Sequence, residues 1–199
     1  MKENILLIVS IALLLLNVSC KNSTAPLTNT STPDFPNTIG NKWVYSLYDS
    51  LSKTSEYLTI TIIGQTPDKS SAIWQFKYSD RIDTQFVTVS GDTVRFNPHI
   101  SSPWSSYNNI FLFPLKVGNG WKGDYLIDST YVAEINSIIV PAGSFSNAYK
   151  IVESWGGFND YGSIISWFVP KVGIVSLYHK GWSIPVINET FNLVSYNIY

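Results

Sequence analysis

The sequence predicts an all-β protein in which about ten mostly antiparallel strands form a curved sheet or half-barrel. Aromatic residues make up 15% of the chain and charged residues only 14%, a composition that favours strands. Large and polar side chains alternate in short runs, most clearly over 72–78. Past residue 20 no stretch keeps a helical apolar period for three turns, and the short links favour antiparallel pairing.

The alternating runs place the strands along the chain. In the first part they predict strands at 43–48, 57–62, 72–78, 82–88 and 93–96. Residues 97–112 are predicted to be a loop because prolines break any period. Further strands are predicted at 124–127, 131–140, 147–155, 164–169, 174–179 and 188–198. Tight turns are marked by two proline–glycine pairs, which are Pro141 with Gly143 and Pro170 with Gly173.

One nine-residue stretch occurs twice, as Phe35–Trp43 and as Phe113–Trp121. Proline fixes its own φ and glycine readily takes a positive φ, so each copy predicts a bend that aims a strand. The glycines should lie in turns and the tryptophans should be largely buried at equivalent strand starts: Gly40 and Trp43, Gly118 and Trp121. Either the halves 35–112 and 113–199 are related, or one domain uses the same lead-in twice.

The N-terminus predicts export. Lys2 precedes an apolar run, 5–16, which is shorter than the ~20 residues of a membrane span, so residues 1–19 are predicted to be a secretory signal peptide. The single cysteine, Cys20, follows the small residue Ser19 and resembles the lipobox cysteine of bacterial lipoproteins, although Asn17 replaces the usual leucine. The resemblance implies that Cys20 becomes the lipidated N-terminus. An ordinary signal peptide cut nearby is the alternative.

A polar segment rich in proline, serine and threonine follows, and residues 20–34 are predicted to be a flexible tether because they cannot bury enough apolar surface to fold. Residues 35–199 are then one domain. With 13 basic and 14 acidic residues, no net charge attracts nucleic acid. We therefore expect a protein of the bacterial cell envelope, held through its N-terminal lipid to the membrane, which we take to be the outer membrane.

Three motifs together resemble a group of bacterial envelope lipoproteins: the Gly-Asn-x-Trp lead-in, residues 141–151 and residues 167–175. By weaker analogy the architecture is similar to the curved half-barrels of lipoprotein carriers of the LolA and LppX type. In those proteins helices lie across the hollow of the sheet. No helix is predicted here, so the sheet is expected to be open or closed on itself.

The residues that carry most enzyme chemistry are scarce. His99 and His179 have no second histidine or cysteine at ligand spacing, so no metal site is predicted. Both are expected to be surface or satisfied histidines, out of hydrogen-bond reach of any pocket carboxylate. Two of the strand carboxylates Glu134, Glu153 and Glu189 could meet for glycoside hydrolysis. Residues 159–160 could offer oxygens to calcium, but a plain turn is favoured. We expect no enzyme and no cofactor.

Aromatic residues are the one positive signal for binding. Six of them exceed what a single core needs, namely Trp74, Phe76, Tyr78, Trp155, Trp167 and Trp182. They either fill the core or line an apolar or sugar-stacking cavity. The preferred hypothesis is a non-enzymatic binding or interaction module for a protein, glycan or apolar partner. A carrier of an acyl chain is the alternative, and a carbohydrate-active protein is a remote one.

Overall fold

The structure is a computed structural model that describes residues 34–97, 110–122, 127–157, 161–182 and 186–199. Every regular element in these ranges is a β-strand, and the twelve strands are β1 (Lys42–Asp49), β2 (Thr54–Gln65), β3 (Ala72–Lys77), β4 (Ile82–Ser90), β5 (Thr93–Asn97), β6 (Ile110–Leu112), β7 (Gly120–Trp121), β8 (Ile127–Val140), β9 (Gly143–Gly156), β10 (Tyr161–Val169), β11 (Gly173–Trp182) and β12 (Val186–Asn197). The described ranges hold no helix suited to crossing a membrane.

All twelve strands belong to one antiparallel sheet. Strands that are neighbours in sequence pair with each other, except β6 and β7, which do not pair. In addition, β1 pairs with β12, so that the order across the sheet runs from β6 through β1 and β12 to β7. The two free edges lie close together, since the Trp121 indole N–H donates to the Ile110 carbonyl over 2.9 Å. The sheet is therefore nearly closed and barrel-like. The prediction of an all-β curved sheet is confirmed.

The strand count exceeds the prediction at two short elements. Ile110–Leu112 is a strand although 97–112 was expected to be a loop, and Gly120–Trp121 adds a two-residue strand at the second lead-in. The predicted strand at 131–140 lies within one long strand, β8, which begins at Ile127. Of the strand predicted at 124–127, residues 124–126 lie outside the described residues. Two or three residues carry too little alternation to be recognised in a sequence.

The two copies of the repeated bend make the same backbone hydrogen bonds. Gly40 N–H donates to Ile62, and Gly118 N–H donates to Val132, both over 2.9 Å. Each acceptor residue returns a 2.9 Å bond to the residue after the glycine. The glycine φ angles are +94° and +86°. The predicted turns are confirmed at both positions.

The tryptophans that follow these bends differ in burial. Trp43 is buried, as predicted. Trp121 is less completely buried, although it packs against the cluster of Leu115, Val132, Ile151 and Phe168. The reason is the position of the strand: β1 has strands on both sides, whereas β7 is a two-residue strand at the edge of the sheet.

We call the end of the sheet at which β1 begins the base, and the end at which β1 finishes the rim. At the base, the Asp34 carbonyl accepts a hydrogen bond from Lys171 in the turn between β10 and β11. Phe35 then enters the interior, where its ring lies 5.7–6.3 Å from five other aromatic rings: Trp74, Phe96, Phe111, Phe113 and Phe168. These rings come from both halves of the chain. An eight-stranded barrel can be filled by the side chains of its own strands. This sheet has more strands and is wider, and these rings fill its base.

The hairpin of β8 and β9 extends past its neighbours and forms an arm, residues 135–148. β9 pairs with β10 only from Tyr149 onward, and bulges bend β8 on both sides of Glu134. The arm reaches β12, where Ala142 N–H donates to the Leu193 carbonyl over 2.9 Å and Phe145 packs 6.1 Å from Tyr196. The arm thus lies over the base of the nearly closed sheet.

Candidate functional site

A row of polar residues crosses the inner face of the second half near the rim. Register places Thr130 on β8 opposite Glu153 on β9, and Glu153 opposite Ile164 on β10. The row continues through His179 on β11 to Glu189 on β12. Thr130, Glu153 and His179 are buried and Glu189 is half-buried. This is the most polar part of an otherwise apolar interior.

His179 is held by its neighbours in this row. Its Nδ1 lies 3.4 Å from Oε2 of Glu189, and its ring lies 5.9 Å from that of Trp155. The expectation that His179 would be out of reach of a carboxylate is therefore wrong, because the β11–β12 register makes the two residues direct partners. The broader expectation of a satisfied histidine is met. His99 lies outside the described residues.

The three strand carboxylates do not come together. Glu153 and Glu189 are three strands apart, roughly 14 Å along the sheet at ~4.8 Å per strand. Glu134 is exposed and pairs with Lys150 over 3.0 Å. Among the described residues no three acidic, histidine or cysteine side chains are grouped to hold a metal ion. Residues 159–160, considered for calcium, lie outside the described ranges.

The six aromatic candidates are divided between the two faces of the sheet. Trp74, Phe76 and Tyr78 are buried in the first half, where Trp74 stacks on Trp43 with centroids 5.1 Å apart. On the other wall, Trp155 is buried beside His179. These four residues are therefore part of the packed interior.

Trp167 and Trp182 lie on the outer face. Trp167 is half-buried, with the Lys150 ammonium 6.0 Å from its ring. Trp182, at the rim, is 54% exposed. The candidates therefore do not converge on one place, and Trp182 alone among them offers a largely exposed surface.

Trp182 has an aromatic partner that sequence reasoning missed. Tyr161, which is 51% exposed, lies with its ring nearly parallel to that of Trp182, 15° between planes and 6.2 Å between centroids. We call this pair the rim platform. It forms because Gly162 pairs with Gly181 on adjacent strands, which places the preceding Tyr161 beside the following Trp182.

Trp155 packs on the opposite face of the same strands. A Cβ on Gly162 would lie 2.3 Å from Cζ2 of Trp155 and 2.8 Å from the Lys180 carbonyl oxygen. The indole therefore lies directly against the Gly162 backbone, on the inner side of the rim platform. Glycine is required at 162 because a methyl group has no room there.

Comparison with known proteins identifies the fold. No protein-family model matches the chain, and no curated protein matches it significantly. Among solved structures, it is similar to a protein of Bacteroides fragilis described as exported, with a YmcC-like fold, at a TM-score of 0.53 and 12% identity over 83% of this chain and 99% of that one. A protein of Parabacteroides distasonis described as a lipoprotein gives a TM-score of 0.47 and 14% identity, with the same coverage. The first likeness shows a shared fold.

Proposed function

We propose that this protein is a lipid-anchored component of the bacterial envelope, held at the outer membrane, and acts as a non-enzymatic binding module. The observation that carries the proposal is the order of segments around Cys20. A short apolar run precedes the cysteine, and a polar segment follows it as far as Phe35, which is the first of the described residues to pack into the interior. Such a tether separates a folded domain from a membrane anchor.

The filled interior supports a binding module in preference to a carrier of acyl chains. A carrier needs a dry cavity of at least a few hundred Å³. Within the described residues one hydrophobic cluster joins β1–β5 to β8–β12, with Phe35 and Phe145 packed against it. This packing of the two halves against each other favours a partner on the outer face of the sheet. Both the fold shared with an exported protein and the motif resemblance to envelope lipoproteins agree with this proposal.

Replacing the anchoring thiol tests the proposal. Cys20→Ser removes the only site for a thioether-linked lipid, so the full chain should leave the membrane fraction and lose metabolic labelling with a fatty-acid analogue. Asn17→Leu, which restores the usual lipobox residue, is the matched control and should keep both properties. Membrane association and labelling that persist in Cys20→Ser would contradict the lipid anchor.

A further inference from the structure

We propose that the rim platform is a saccharide-binding site at which a glycan chain of the envelope stacks on Tyr161 and Trp182. This proposal rests on the proposed function and specifies its partner. One face of a pyranose ring presents C–H groups, which pack on the electron-rich face of an aromatic ring. The Tyr161 and Trp182 rings stack on each other and are each about half exposed, so the exposed part of this stacked pair provides such a surface.

Polar groups suited to sugar hydroxyls adjoin the platform. On the same outer face, one step nearer the base, register aligns Ser163 on β10, Lys180 on β11 and Asn188 on β12. Serine and asparagine can both donate and accept, and lysine donates. Within the described residues none of these three side chains makes a hydrogen bond or ion pair. The row is therefore available to bind hydroxyls at the edge of a stacked sugar.

The position of the platform favours a glycan over a lipid surface as its partner. Asp34, at the end of the predicted tether, contacts the turn before β11 at the base, whereas Tyr161 and Trp182 lie at the other ends of β10 and β11. β10 has nine residues, which span roughly 30 Å at ~3.3 Å per residue. A site at the opposite end of the strands from Asp34, with a polar row beside it, suits a hydroxylated polymer better than an apolar lipid surface.

The platform is also preorganised. Both rings stand at the ends of adjacent paired strands and stack on each other, and the buried Gly162 and Trp155 are packed on the inner side of the same strands. Side chains fixed before binding lose little conformational entropy when a ligand arrives. An accessible aromatic pair on such a support is suited to binding an extended chain without rearrangement.

Calorimetric titration of the full chain in a sugar-free detergent tests the site. The probes are chitohexaose, cellohexaose and maltohexaose, with sedimentation on purified peptidoglycan as a polymer assay. We expect at least one probe to bind, and Trp182→Ala and Tyr161→Ala each to weaken that binding at least about tenfold without lowering the melting temperature. The matched control is Tyr57→Ala, which removes a tyrosine that is 64% exposed on β2. It should leave binding unchanged.

Three outcomes would overturn the proposal: no binding to any of the four probes, binding that survives Trp182→Ala, or Trp182-dependent pelleting with phosphatidylcholine–phosphatidylglycerol vesicles in place of sugar binding. The last would assign the platform to a lipid surface. Because the titration is done in detergent, it does not depend on the lipid anchor. Failure here therefore differs from a failure of the Cys20→Ser fractionation.

Discussion

The two halves of the sheet, β1–β6 and β7–β12, begin with the same backbone bend but differ in what they bury. The inner face of the first half is almost wholly apolar and aromatic, with Trp43, Tyr45, Trp74 and Phe76 in one cluster. Most of the buried polar residues lie in the second half: Thr130, Glu153, Ser166, Ser176 and His179. The second half also carries the arm and the rim platform.

This difference shows that a local bend sets where a strand begins but not how deeply its side chains are buried. Gly40 and Gly118 have equivalent hydrogen bonds, yet only the tryptophan after Gly40 has strands on both sides. The first half supplies most of the large apolar side chains, which dominate stability. The second half tolerates polar and exposed groups, and these are the groups that can bind a partner.

The largest expected effect is a difference in the stability lost when Trp43 and Trp121 are each replaced by alanine. Trp43→Ala should destabilise the protein by about 3–5 kcal/mol, because it empties a buried site and removes the 2.7 Å hydrogen bond from the indole to the Val172 carbonyl. Trp121→Ala, at the edge of the sheet where the indole is less completely buried, should cost about 1–2 kcal/mol. Urea denaturation of the two variants measures both costs. Equal losses would show that the halves are equivalent in packing as well as in backbone.

An intermediate effect concerns the glycine pair inside the second half. Gly162→Ala should cost about 2–3 kcal/mol, since its methyl group would overlap the Trp155 indole and the Lys180 backbone. Gly181→Ala is the matched control, because its Cβ would have only an ordinary 3.9 Å contact with Ile187. That change should stay within about 0.5 kcal/mol. Thermal unfolding of both variants tests the packing, and an unaffected Gly162→Ala would contradict it.

The smallest expected effect tests the shared bend. Gly40→Ala and Gly118→Ala each force an alanine to a positive φ, which should cost about 1–2 kcal/mol. Because the two turns have the same hydrogen bonds, both variants should lose stability. The loss at Gly40 should be the larger, since its Cβ would lie 3.3 Å from the Tyr199 ring, whereas no atom lies within 4 Å of a Cβ at Gly118. Denaturation midpoints provide the comparison. A loss of stability at only one glycine would show that the two bends, despite their equal hydrogen bonds, do not both require glycine.

The sequence could predict the fold class because most strands have strong periodicity. The alternation over 72–78 corresponds to β3, Ala72–Lys77, whose inward residues are buried. Edge strands β6 and β7 could not be recognised, since two or three residues have no measurable period. The arm depends on bulges in β8, and here no particular residue type marks where a bulge shifts the register.

The rim platform could be predicted only in part. Trp182 stood out as one of many aromatics, but its partner Tyr161 is distant in sequence and becomes its neighbour only through the β10–β11 register. The same holds for His179 and Glu189, which face each other because of one pairing between β11 and β12. The register between two strands cannot be derived from residue types alone when the loop that connects the strands does not fix their pairing.

The pairing of β1 with β12 makes the order of synthesis matter for folding. Of the described strands, the first meets the last, with Lys42 opposite Asn197, so the two halves cannot join into one sheet until β12 has been made. Before that moment β1 is an exposed edge that can pair with another chain. Such long-range closure gives a high contact order and slow folding. The chain is thus suited to staying unfolded during synthesis and completing its core in a single late step.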